Sequence, residues 1–181
     1  DPAKTDVAET LRTLEAHHIA IKIVTGDNEL VTQKIAKDIG FPVHGILRGS
    51  DVDALNDDAL RVRVNQTTIF ARVSPMQKLR IIQTLRQSSH VVGYLGDGIN
   101  DASSLHGADV GISVNNAVDI AKASADLILL QKSLRDLVQG VIEGRKTFAN
   151  TLWTRRGMRI RGRRPARAPA SLLFPPPPTT S

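Results

Sequence analysis

Over residues 1–150, short β-branched runs alternate with polar loops and with stretches of helical spacing. That alternation constrains the fold more than any other feature, because apolar strands joined through helices build a parallel sheet covered on its faces. Residues 5–18 place Val7, Leu11 and Leu14 at helical spacing, with Thr5 or Asp6 as cap. Residues 19–24 read as a strand that stops at Thr25-Gly26-Asp27. A helix follows, capped by Asn28 and ended by Gly40. A shorter helix is expected at 55–64, a strand at 68–72, and a helix at 74–87 with Pro75 in its first turn. Strands are expected at 90–96, 108–114 and 125–130, and helices at 117–125 and 134–148. No internal repeat is visible.

Three loops at the carboxyl ends of expected strands carry the chemistry, since open α/β sheets hold ligands there. Thr25-Gly26-Asp27-Asn28 offers a hydroxyl, a glycine amide and a helix N-terminus at one point, which suits a phosphate. On these four residues alone, a capped turn is the commoner outcome. Lys78 lies in the first turns of the helix that begins after Ser74, and a lone helical lysine is ordinarily a solvated charge. In Gly96-Asp97-Gly98-Ile99-Asn100-Asp101, two carboxylates and an amide share a glycine-bearing turn after an apolar strand. Such a cluster is costly unless a cation neutralises it, and hard oxygen donors favour Mg²⁺. A turn with a cap at Asn100 or Asp101 is the alternative, and it leaves Asp97, which precedes the turn, unexplained.

Taken in order, TGDN, the lysine of SPMQK, and GDGIND followed by ADVGIS resemble the haloacid-dehalogenase-like phosphorylation domain of P-type ATPases. Residues 108–152 look most like the magnesium-transporting branch, and the resemblance covers about residues 1–152. It implies an α/β fold, a Rossmann-like parallel sheet with flanking helices. It also implies that Thr25 and the Gly26 amide hold a transferred phosphoryl group, with Asp27 beside them. Lys78 would neutralise the phosphoryl oxygens. Asp97 would ligate Mg²⁺, with Asn100 and Asp101 orienting phosphate and metal. Asp1-Pro2-Ala3-Lys4 resembles the family's DPP(K/R) hinge, which places Asp1 and Lys4 near the nucleotide. The implied cofactors are Mg²⁺ and, in the full-length enzyme, ATP. The implied partners are ATP and the transported cation, and the implied location is the cytoplasmic side of a membrane.

The chain departs from the family at three points. The family's nucleophile is the aspartate of a DKTG motif, and no DKTG occurs in these 181 residues. The sheet is therefore expected to lack its nucleophile-bearing central strand, leaving a gap between the strands at 19–24 and 90–96. A chain with such a gap is expected to be marginally stable, prone to self-association and inactive by itself. Ser103 and Ser104 stand where the family has Pro-Ala. After about residue 152, where the family continues into a membrane helix, the composition changes abruptly. Residues 151–181 hold seven arginines and no acid, leaving 17 basic and 18 acidic groups in residues 1–150. Six of the nine prolines fall at 165–178. The second region, residues 153–181, is expected to be a disordered tail unrelated to the domain.

The remaining composition excludes several classes. Without cysteine there are no disulfides, thiol catalysis or Cys-ligated zinc. Six aromatic residues are too few for a single-strand-stacking surface, and the basic excess lies wholly in the tail, so no specific nucleic-acid partner is expected. No apolar run approaches the ~18–20 residues of a membrane helix, and the first residues do not resemble a signal peptide, so a soluble chain is expected. Two other readings have less support. A free-standing phosphatase would need a DxD nucleophile, but the Asp51-Val52-Asp53 stretch follows no apolar strand. A polyanion-binding module would rest on the seven arginines at 155–167. His17-His18 has no metal-ligand spacing and reads as a helix end.

Overall fold

The computed structural model describes residues 2–131 and 133–157. The elements run α1 (Pro2–Ala16), β1 (Ile23–Val24), α2 (Glu29–Asp38), β2 (Ile46–Arg48), α3 (Gly49–Ala54), α4 (Asp57–Gln66), β3 (Ile69–Ala71) and α5 (Pro75–Gln87). They continue through β4 (Gly93–Leu95), a 3₁₀ turn at Ile99–Asp101, α6 (Ala102–Gly107), β5 (Val110–Val114), α7 (Asp119–Ala123), β6 (Leu127–Leu129) and α8 (Leu134–Gly157). All strand pairs are parallel.

The strands form two three-stranded sheets, ordered β1-β3-β2 and β4-β5-β6. β1 and β4 are therefore each at an edge, with no ladder between them, as the expected gap requires. The cores follow the same division. Leu47, Val52, Leu60, Val64, Phe70 and Val73 fill one cluster, joined by Ile81 and Leu85 of α5. Ile82 of α5 enters a second cluster with Tyr94, Leu105, Val114, Ala117 and Ala121. α5 is thus the joint between the sheets. Positions 81 and 85 share one helical face, and positions 78 and 82 share the adjacent one. That periodicity aims Lys78 toward the second sheet.

Local signals end the elements where the residues suggest. The Asn28 side chain accepts from the Leu30 amide and starts α2. Gly40, at φ +69°, closes it in a conformation that glycine alone adopts without strain. Ser74 and Gln77 form a reciprocal capping box ahead of α5, with Pro75 as its first residue.

Several expectations are corrected. The strand expected at 19–24 shrinks to Ile23–Val24. Upstream of it the backbone is spent on closing α1, with the Ile19 amide bonded to the Leu14 carbonyl. Lys22 bends away to donate to the Thr67 carbonyl at 2.6 Å. The strand expected at 90–96 is Gly93–Leu95, because the Val92 amide bonds the Asp109 carboxylate instead of a ladder partner. β2 and α3 were not expected at all, since three and six residues are too short to show a period. α8 runs to Gly157, nine residues past the helix end expected at 148 and five past the domain boundary expected at 152, since neither glycine nor proline interrupts residues 145–156. The rest of the expected tail, residues 158–181, lies outside the described residues. No helix among the described residues is long and apolar enough to cross a membrane.

Candidate functional site

The Thr25–Asn28 loop leaves β1 and is tied to the segment after β3. The Thr25 amide bonds the Phe70 carbonyl, the Val73 amide bonds the Thr25 carbonyl, and the Arg72 amide bonds the Asp27 carbonyl. Within the loop, the Thr25 hydroxyl donates to Asp27 Oδ2 at 3.0 Å and accepts from the Asp27 amide at 3.1 Å. Glu29, at the N-terminus of α2, pairs with Arg48 at 3.0 Å and Arg72 at 2.8 Å. Its own backbone amide and the Arg72 guanidinium hold the Glu29 carboxyl below the usual range. The loop is thereby fastened to the ends of β2 and β3. Gly26 is exposed, and a Cβ there would make only ordinary contact with the Val73 carbonyl.

The segment that carries Val73 leads directly into α5, whose Lys78 reaches the loop after β4. Lys78 Nζ donates to Asp101 Oδ1 at 2.7 Å, and both side chains are nearly buried, at 12% and 13% exposure. The same oxygen accepts from the Tyr94 hydroxyl at 2.8 Å, and Oδ2 accepts from the Gly98 amide at 3.2 Å. Burial pushes the Asp101 carboxyl up, but the bonds from Lys78 and Tyr94 outweigh it, and the group lies below its ordinary value. Burial, then the bond to Asp101, drives the Tyr94 phenol far above its ordinary value.

Gly96 makes this approach possible. A Cβ there would lie 2.7 Å from Asp101 Cβ and 3.0 Å from the Tyr94 ring. The loop is braced from behind, where the Ser113 hydroxyl donates to the Gly96 carbonyl and the Val118 amide to the Asp97 carbonyl. Asp97 and Asn100 are exposed at the carboxyl end of β4.

Of the residues singled out from sequence, Lys78 and Asp101 are in direct contact, and Asp97 and Asn100 share their loop. Thr25, Gly26 and Asp27 lie on a separate loop, tied through the Thr25 and Asp27 backbones to residues 72–73 ahead of α5. The side chain of Lys4 and all of Asp1 lie outside the described residues; the backbone at Lys4 is part of α1. Sequence reasoning missed Tyr94. The only signal for Tyr94 was its being the single tyrosine of the chain.

With this geometry in place, comparison with known proteins is decisive. The family model described as haloacid dehalogenase-like hydrolase matches residues 1–109. The chain belongs to this family. It is 52% identical over 152 residues to magnesium-transporting P-type ATPases of Salmonella typhimurium and Escherichia coli. A calcium-transporting ATPase of Bacillus cereus is 34% identical over 153 residues. The matches to the magnesium transporters cover 84% of this chain but 17% of those proteins, so the chain spans about a sixth of their length. Among solved structures, a zinc-transporting PIB-type ATPase in its E2.Pi state superposes with a TM-score of 0.62 at 28% identity. That match covers 79% of this chain and 19% of the other. The catalytic domain of the CPx-ATPase CopB-B gives a TM-score of 0.56 at 28% identity, covering 74% and 43%. Over these residues the chain is similar to a segment of P-type ATPases, most like that of the magnesium-transporting branch.

The family uses Mg²⁺ and ATP generally, and the donor set present suits the metal. Among the described residues no three His, Asp or Glu side chains gather to hold a cation by themselves. Mg²⁺ needs no such cage, because it is commonly held through one or two carboxylates while water and phosphate complete its shell. Asp97 is the second carboxylate of the loop that carries Asp101. Both oxygens of Asp101 are already engaged, which suits an orienting role better than direct ligation.

Proposed function

We propose that this chain supplies the phosphoryl- and Mg²⁺-binding loops of the phosphorylation domain of a magnesium-transporting P-type ATPase. The attacking aspartate would come from a segment outside these 181 residues. The observation that carries the reading is the nearly buried Lys78–Asp101 pair, which locks the start of α5 onto the GDGIND loop. A cation so placed neutralises charge on phosphoryl oxygens, and phosphoryl transfer depends above all on positioning and electrostatics.

Each residue then has a task. The Gly26 amide binds phosphoryl oxygens, and the Thr25 hydroxyl, which donates to Asp27 within the loop, turns its one proton to them when phosphate binds. Lys78 on α5 neutralises the same oxygens, held by Asp101. Asp97 is the carboxylate offered to Mg²⁺, and Asn100 donates toward phosphate from the same loop. The metal, when bound, supplies charge neutralisation on the phosphoryl group. Asp1 and Lys4 belong to a hinge leading toward the nucleotide, by the same resemblance. Relatives carrying the magnesium-transporting name make Mg²⁺ the proposed cargo of the whole enzyme and ATP its fuel.

The test is a chimera. Residues 1–152 replace the matching segment of the 52%-identical Salmonella transporter, and phosphoenzyme formation from ATP is measured. Phosphorylation is expected to persist and to vanish on Lys78→Met or Asp97→Ala. A chimera that phosphorylates equally well with either substitution would refute the assignment. The isolated chain should hydrolyse neither ATP nor p-nitrophenyl phosphate, as covalent catalysis needs a nucleophile. Turnover that Asp97→Ala abolishes would show a nucleophile within these residues.

A further inference from the structure

We infer that Tyr94 is a positioning residue for Lys78: by donating to the Asp101 oxygen that Lys78 contacts, it fixes the carboxylate and thereby aims the ammonium at the phosphoryl group. This rests on the phosphoryl-site reading and extends it to a residue that touches no substrate. The Tyr94 hydroxyl and Lys78 Nζ approach Asp101 Oδ1 at 2.8 and 2.7 Å, while the Gly98 amide holds Oδ2. With three donors on two oxygens, the carboxylate has one orientation. Without the phenol hydroxyl, its remaining contacts at Oδ1 reduce to a lysine on a flexible four-carbon stem.

The surroundings make the hydroxyl costly unless it is used. Tyr94 is buried at 8% exposure in an otherwise apolar cluster, where phenylalanine would pack as well. Ser104, fully buried, borders the same phenol, and its Oγ lacks a hydrogen-bond partner of good geometry. Lys78 retains two further ammonium protons for a ligand.

The test uses the full chain, saturating Mg²⁺ and inorganic phosphate as the probe, with binding read from the backbone amide resonances of Thr25 and Gly26. Tyr94→Phe should weaken phosphate binding about fivefold, the loss of one net hydrogen bond. Lys78→Met should weaken it more, and the double variant should bind no worse than Lys78→Met alone. Losses that add independently overturn the positioning role and leave the phosphoryl reading standing. No response to phosphate in the unaltered chain overturns both. A measurement independent of the variants' folding uses 3-fluorotyrosine, which labels Tyr94 alone because the chain has one tyrosine. Phosphate should move its single ¹⁹F resonance. A resonance that stays fixed while Thr25 and Gly26 respond also overturns the role.

Discussion

Replacing Lys78 by methionine removes the cation but keeps most of the side-chain volume, leaving Asp101 charged and 13% exposed. At 2.7 Å and an effective dielectric of about 20, the lost attraction is ~6 kcal/mol gross. Breaking a buried pair from one side typically costs ~3–5 kcal/mol net. Because both ends keep some contact with water, and Tyr94 and Gly98 still bond the carboxylate, we expect about 2–4 kcal/mol here. For a domain of this size that lowers the melting temperature by roughly 6–12 °C. Circular dichroism melts and urea titrations at neutral pH measure it. The pH dependence gives a second, sharper readout. In the unaltered chain the Asp101 carboxyl lies below its unfolded value, so its contribution is present above the ordinary carboxylate range and is lost as pH falls through the folded value. In the variant the two Lys78 influences that lower the Asp101 carboxyl are gone, so the penalty should shrink as acid protonates the group. Adding Asp101→Asn should recover part of the loss at neutral pH by removing the orphaned charge. A penalty below ~1 kcal/mol, typical of exposed pairs, would refute the reasoning. So would identical pH slopes in the two chains.

Three further outcomes are expected. The Tyr94 phenol should show no tyrosinate absorbance near pH ~10, where free tyrosine ionises. Its raised folded value means that the associated stability is intact below that pH and falls as pH rises above it; half-ionisation near pH ~10 in the folded chain would contradict the burial and the bond to Asp101. Gly111→Ala would place a Cβ 2.6 Å from the Leu105 carbonyl oxygen, backbone that cannot swing aside. It should cost about 1–3 kcal/mol in urea titration, and a neutral result would show that α6 shifts freely against β5. Phe70→Ala, at the fully buried centre of the first cluster, should cost ~3–5 kcal/mol and broaden or abolish the melt.

What the sequence determined by itself is local. Asn28, Gly40, Ser74 and Pro75 set the ends of α2 and α5, because caps, left-handed glycine and a proline first turn act within a few residues. The order of TGDN, Lys78 and GDGIND carried the resemblance to the family, because each is a short local pattern. The strands were found as regions but not as lengths. β1 keeps two residues of the six expected at 19–24, because pairing depends on which backbone groups find a partner across the sheet. The gap between β1 and β4 was expected from the absent nucleophile strand, whereas the use of α5 as the joint and the convergence of Lys78 and Tyr94 on one Asp101 oxygen were decided only by the tertiary structure. Residues 78, 94 and 101 sit in different elements with no shared period. Their meeting depends on helix packing and on the close approach that Gly96 permits, and neither leaves a mark in the sequence around any one of them.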